Sequence, residues 1–132
     1  MSKFKVMIVK KNGKPVGVRA AEINGRVIVL SLKNAATGKN WYEAVKYKIP
    51  TKYEWMAIDE NLEAVNKALV KAGGDPIEKY KYYWSSSEYY DYHAWVFCTG
   101  TGASQGGVYY NLKSGNLSFF VVRPVLAFTL SL

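Results

Sequence analysis

Apolar and polar positions alternate from Lys3 to Lys10, and the alternation stops at Lys11-Asn12-Gly13-Lys14. Asn-Gly readily adopts the two positive φ values that a tight hairpin turn requires. A second Asn-Gly, Asn24-Gly25, separates Val16 to Ile23 from Arg26 to Leu32, so residues 1–35 are predicted to form a three-strand meander. The period then changes. In Asn40-Trp41-Tyr42-Glu43 a capping residue stands three positions before Glu. This is the reciprocal box that satisfies two free backbone donors at a helix start. It predicts a short helix through Val45 or Lys46, and Thr51-Lys52-Tyr53-Glu54 repeats the box directly after Pro50, with Trp55, Met56 and Ile58 as apolar contacts. Leu62, Val65, Leu69 and Ala72 then fall at helical spacing before Gly73-Gly74. They form either a third helix or the second continued past a break. Residues 40–73 are thus the helical part. From 80 to 132 the pattern is of strands and loops, with Tyr82 to Ser85, Ala94 to Cys98, Gly107 to Leu112 and Phe119 to Phe128 separated by Gly, Ser, Thr and Asn. The expected fold class is α+β.

Length and composition narrow this picture. A chain of 132 residues with 49% hydrophobic and 21% charged positions is expected to be one globular domain over 1–132. No apolar run approaches membrane-spanning length, so no membrane insertion is expected. The start of the chain shows no signal-peptide pattern, which points to synthesis in the cytoplasm, followed by incorporation in a virion or delivery to a surface by another route. The single cysteine, Cys98, permits no intramolecular disulfide and no multi-cysteine zinc site. It reads as a small buried residue at a strand end.

Charge and aromatic residues are segregated. Residues 1–52 hold 12 Lys or Arg against Glu22 and Glu43, residues 53–91 hold 8 acidic against 4 basic, and no acidic residue follows Asp91. The lysines of the first third are spread over strands and turns without a nucleic-acid motif, the pattern of a solvated face that also guards strand edges, so nucleic acid is not the expected partner. Of the 20 aromatic residues, 14 lie between Tyr80 and Phe128. That is more than the core of so small a domain can absorb. Trp84, Trp95 and Phe97 are expected to pack on the sheet, whereas Tyr90, Tyr92, Tyr109 and Tyr110 are expected to be exposed, because neighbours in a strand point to opposite faces. Tyr with Ser, Asn and Gly suits an adaptable recognition surface.

Enzymatic motifs are weak by comparison. The glycine-rich run Gly100 to Gly107 leads into Val108-Tyr109-Tyr110, a strand, whereas a dinucleotide loop opens a helix and a Walker loop needs Lys-Ser/Thr. It reads as a surface loop. His93 is the only histidine, and with Asp91 two positions away it shares a strand face without making a relay.

Several blocks carry a family resemblance: Val29-Leu30-Ser31-Leu32-Lys33-Asn34, Trp41 with Ala44, Ile49-Pro50-Thr51-Lys52-Tyr53-Glu54-Trp55, Val65 to Leu69 ahead of Ala72-Gly73-Gly74, Tyr83-Trp84-Ser85-Ser86-Ser87-Glu88-Tyr89, Ala94-Trp95, and Val122-Arg123-Pro124-Val125-Leu126-Ala127-Phe128. Together they resemble the bacterial Lcl C-terminal domain family, named after a collagen-like adhesin and related to the formylglycine-generating-enzyme branch of the C-type lectin fold. The resemblance implies a C-type-lectin-like fold with small twisted antiparallel sheets, two to three short helices and chain ends close together. Trp84, Trp95 and Arg123 would be scaffold. The chain also resembles retroelement-diversified variable proteins. That likeness implies a ligand-binding face of Tyr90, Asp91, Tyr92, His93, Thr99, Thr101, Ser104, Gln105, Tyr109, Tyr110, Asn111, Ser118 and Phe119.

The sugar-binding triplets of calcium-dependent lectins are missing, as is the cysteine pair of the formylglycine-generating enzymes. Neither chemistry is expected, and no metal or cofactor is assigned. The reading is a non-enzymatic, calcium-independent module that recognises a cell-surface protein or glycan, as a bacteriophage receptor-binding or virion-surface protein. The alternative is a structural subunit whose aromatic face is buried in a homo-oligomer or against virion neighbours. A small enzyme using His93 and Asp91 is a third reading.

Overall fold

The computed structural model describes residues 4–99 and 107–126. The fold is mixed α+β, with two sheets and three helices among these residues. β1 (Met7–Lys11), β2 (Lys14–Ile23) and β3 (Arg26–Ser31) form the expected antiparallel meander. Both turns place their Asn and Gly at positive φ, Asn12 and Gly13 at 52° and 79° and Asn24 and Gly25 at 51° and 76°. This is the backbone that makes Asn-Gly the preferred hairpin pair. The C-terminal segment returns to the outer edge of β3, where Pro124 O accepts from the Ser31 N–H (3.0 Å) and Leu126 N–H donates to Val29 O (2.9 Å).

Both capping boxes form. Asn40 opens α1 (Trp41–Ala44) and Thr51 opens α2 (Lys52–Glu60), each side-chain oxygen accepting from the N–H of a Glu whose carboxylate accepts from the cap N–H in return. The helical run then breaks at Asn61, whose side chain donates to Ala20 O on β2 (3.1 Å), so α3 (Leu62–Lys71) is a separate helix. It ends in a Schellman motif: Gly73 at φ 80° donates to Val70 O and Gly74 donates to Leu69 O. Among the described residues no helix is long and apolar enough to cross a membrane.

The second sheet contains β4 (Ala36–Thr37), β5 (Tyr82–Tyr90), β6 (His93–Cys98), β7 (Gly107–Leu112) and β8 (Phe120–Val122), in the order β4-β8-β5-β6-β7. It departs from expectation in three ways. First, the sheet is mixed, since β8 runs parallel to β5, because β6, β7 and the connection through 113–119 carry the chain across before it enters β8. Second, β5 extends past Ser85 to Tyr90, with its register against β6 shifting between Trp84 and Glu88 and again before Tyr90. The serines that read as a loop lie within an irregular strand. Third, β8 stops at Val122, ahead of Pro124, which has no N–H for a ladder. Phe128 lies outside the described residues.

Two apolar clusters cover opposite faces of this sheet. One joins Tyr83, Phe97 and Val121 to Trp55, Ile58, Val65 and Leu69 on α2 and α3 and to Val18 and Leu30 of the meander. The other gathers Trp84, Ala94, Val96, Phe120 and Val122 around Trp41, Ala44 and Ile49. A stacked pair anchors each cluster: Trp55 on Phe97 with centroids 4.9 Å apart, and Trp84 on Phe120 at 4.8 Å. Each of the three tryptophans donates its indole N–H to a backbone carbonyl, Trp41 to Ser85, Trp55 to Trp84 and Trp84 to Lys39. Two of these acceptors sit where β5 loses its regular register, so the irregularity and the indoles satisfy each other.

Arg123 is fully buried, as the scaffold expectation required. Its guanidinium donates to Ser31 O, Leu32 O, Asn34 Oδ1 and Asp75 O at 2.7 to 3.0 Å, clamping the end of the meander to the segment after α3. Burial lowers its pKa from the ordinary arginine value, while the Asn34 N–H donated to Asp75 holds that carboxyl below its usual range.

Candidate functional site

Strands β5, β6 and β7 carry a group of partly exposed rings on one face, beside the start of α2. In-register partners share a face, so the pair Trp95 and Tyr110 marks one side. The pairs Val96 with Tyr109 and Ala94 with Asn111 mark the other, where Val96 and Ala94 enter the second cluster. Tyr89 lies on the Trp95 side. It stacks on Tyr110 with centroids 4.2 Å apart and planes 11° from parallel, and meets Trp95 edge to face at 5.1 Å. His93 presents its ring edge to Tyr110 at 5.6 Å, and Tyr90 flanks Tyr89 at 4.9 Å.

The start of α2 completes this platform. Ser86 N–H donates to Pro50 O (2.9 Å) and Lys52 N–H donates to Ser87 Oγ (3.0 Å), tying the first turn of the helix to the irregular stretch of β5. As a result the Lys52 ammonium sits 4.0 Å from the centroid of Trp95 and 5.1 Å from that of Tyr53. A cation over an exposed ring contributes about 0.5–1 kcal/mol.

The expected ligand-binding residues divide into separate groups. Tyr90 and Tyr92 are 75% and 74% exposed at the hairpin tip with Asp91, and His93 and Tyr110 join the platform. Tyr109 is exposed on the opposite face, as the alternation predicted, and this removes it from the surface that holds Tyr110. Asn111, also on that opposite face, accepts from the Leu112 N–H (2.9 Å). Ser118 is exposed in the turn before β8, and Phe119 is half-buried edge-on to Tyr82 at 5.2 Å. Thr99 lies at the far end of β6, its carbonyl accepting from the Tyr80 N–H. Thr101, Ser104 and Gln105 lie outside the described residues.

Trp95 corrects the expected division of the aromatics. It is half-buried instead of packed like Trp84 and Phe97, because α2 starts beside it and covers only Phe97, two residues further along the same face. Tyr89, Lys52 and Tyr53 are further platform residues; they lie in motifs named from the sequence but were not assigned to the binding face. The clue to Tyr89 was its place in the dense aromatic stretch, whereas Lys52 and Tyr53 reach the site only through tertiary contacts.

No match to the chain is found among family models, curated proteins or solved structures. Asp91 and His93 share no hydrogen bond among the described residues. The Asp91 backbone carbonyl instead accepts from Lys113 Nζ (2.9 Å), which also donates to Glu88 Oε1 (2.7 Å) and lies 4.6 Å from the centroid of Trp41. This pinned lysine holds the hairpin from beneath. Cys98 is buried, and burial pushes its thiol up, away from the reactive thiolate. What the site offers is apolar ring surface, tyrosine hydroxyls, the His93 imidazole and the Lys52 ammonium.

Proposed function

We propose that the protein is a non-enzymatic display module that recognises a cell-surface protein or glycan through the platform of Lys52, Tyr53, Tyr89, Trp95 and Tyr110. Its resemblance to the Lcl C-terminal domain family implies a C-type-lectin-like fold beneath this platform, although the C-terminal segment lies on β3, at the opposite edge of the meander from β1. On it the module works without calcium, as a phage or prophage receptor-binding protein or a retroelement-diversified variable protein.

The observation that carries the reading is that Tyr110 is 53% exposed while stacked ring on ring against Tyr89. Rings that hold one another lose little freedom when a ligand lands on them, so contact area becomes available at low entropic cost. The test is a binding screen against bacterial surface proteins and glycans at low and high salt. For a ligand so found, Trp95→Ala and Tyr110→Ala are each expected to weaken binding about 30-fold, the roughly 2 kcal/mol of a central aromatic anchor. Binding that falls steeply with salt and follows Lys10, Lys11, Lys14 and Arg19 instead would overturn it.

A further inference from the structure

Three of the four indoles in this protein have acceptors supplied by the fold, since Trp41, Trp55 and Trp84 donate to backbone carbonyls. The fourth does not. Among the described residues the Trp95 indole N–H meets no acceptor, and the side-chain polar atom that is both buried and unpaired is Arg19 Nε, so the Trp95 donor is open to solvent. The groups around it share this bias. The Lys52 ammonium over the Trp95 ring makes no ion pair among the described residues, and it can only donate. Tyr53, Tyr89, Tyr110 and His93 bring hydroxyls and an imidazole, which donate as well as accept. No carboxylate or side-chain amide belongs to the set: Glu88 is held by Lys113 at 2.7 Å, Asp91 lies in the hairpin turn, and Asn111 is on the opposite face. The platform is rich in donors and poor in acceptors.

That asymmetry selects the partner. Sugar hydroxyls donate as well as accept, so a glycan laid on these rings finds no carboxylate or amide for its own donors, whereas a proline residue has a carbonyl and no N–H. We infer, resting on the recognition role proposed above, that the platform takes a proline-rich segment of a cell-surface protein in the polyproline II conformation, one of whose backbone carbonyls accepts from the Trp95 indole N–H. Such a helix makes no internal hydrogen bonds, so its carbonyls stay available, and its pyrrolidine rings pack on aromatic surface. Tyr89, Trp95 and Tyr110 lie with centroids 4.2 to 6.0 Å apart. A helix that advances about 3.1 Å per residue therefore sets about two consecutive residues on the three rings. The Lys52 ammonium is a second donor beside them. Both sides are formed in advance, the rings by holding one another and the segment by its fixed backbone, so little freedom is lost on contact.

Nuclear magnetic resonance of the isotope-labelled full chain, titrated to millimolar concentration with a proline decamer, tests it, with a glycine-serine decamer as the control. The expected result is a concentration-dependent shift of the Trp95 indole N–H signal with the proline probe alone, while the signals of Trp41, Trp55 and Trp84 stay in place because their acceptors lie within the fold. Trp95→Phe keeps a ring and removes the donor. Followed at the Tyr110 amide, it is expected to weaken binding about fivefold, the scale of one hydrogen bond. A Trp95 N–H signal that stays in place, one that moves equally with the glycine-serine decamer, or a Trp95→Phe variant that binds as tightly as the wild type would each overturn the inference. The wild-type titration needs no variant, so it decides the matter even if Trp95→Phe does not fold. A glycan that shifts the Trp95 signal where the proline decamer does not overturns this inference and leaves the platform reading intact; a surface ligand indifferent to both Trp95 and Tyr110 overturns both.

Discussion

Three aromatic pairs in this protein stack in nearly the same way, and they differ only in what lies over them. Trp55 on Phe97 and Trp84 on Phe120 are interior, whereas Tyr89 on Tyr110 is partly exposed, with Tyr110 outermost, although all three have centroids 4.2 to 4.9 Å apart and planes within 11° of parallel. Strand β6 carries the contrast along one of its faces. Phe97 lies beneath Trp55 of α2, and Trp95, two residues earlier, meets only the first turn of that helix through Lys52. Ring geometry therefore says nothing about role here. The position of one helix start divides the sheet face into core and platform.

The comparison breaks most readily at Trp84. Trp84→Ala removes a fully buried ring, its stack on Phe120 and its hydrogen bond to Lys39 O, and is expected to cost about 3–5 kcal/mol in chemical denaturation. A loss no greater than that of Trp95→Ala would mean that cover does not distinguish the two groups.

A smaller effect separates buried from exposed tyrosine. Tyr83 is fully buried, with its hydroxyl accepting from the Glu78 N–H (2.8 Å), and burial pushes its pKa up to about 12. An unfolded tyrosine ionises near pH 10, so the group leaves stability unchanged below that pH. Between about pH 10 and pH 12 the unfolded chain loses a proton that the folded chain keeps, and stability falls as pH rises. The expected loss is about 2 kcal/mol at pH 12, since every tenfold difference in proton affinity between the folded and unfolded chain is worth about 1.4 kcal/mol and the folded group is itself half-ionised there. Tyr83→Phe should flatten that part of the stability profile. An identical alkaline slope in the variant would show that Tyr83 ionises as readily folded as unfolded.

What was legible in the sequence follows from the range of the interactions involved. Asn12-Gly13, Asn24-Gly25 and the boxes at Asn40 and Thr51 act within four residues, and the structure forms each of them where the sequence pattern puts it. The helix break required Asn61 to reach Ala20 O, so the pattern left it open. The serines after Trp84 favour turns by their local chemistry, yet a strand with shifted register, satisfied by indole donors from α1 and α2, overrode that preference. Period-two alternation correctly separated Tyr109 from Tyr110. It also put Trp95 and Phe97 on one face, but alternation carries no information about which part of a face a distant helix will cover. The platform was therefore only half visible: its tyrosines came from density and exposure, and its lysine from a contact between elements far apart in the chain.

The smallest effect is expected at the platform itself. The ring of Trp95 is half-buried, with Tyr89 against it and the Lys52 ammonium over it, so its removal opens no enclosed cavity. Trp95→Ala should cost roughly 2 kcal/mol, less than Trp84→Ala because the indole is only partly covered. Lys52→Gln should cost less than that, because it keeps the stem and removes only the charge. A double-mutant cycle on the two isolates their coupling, expected at about 0.5–1 kcal/mol and reduced little by salt, since the contact is short compared with the screening length. Coupling near zero would mean that Lys52 does not rest on Trp95 in solution, and the platform would then consist of the β5, β6 and β7 rings alone.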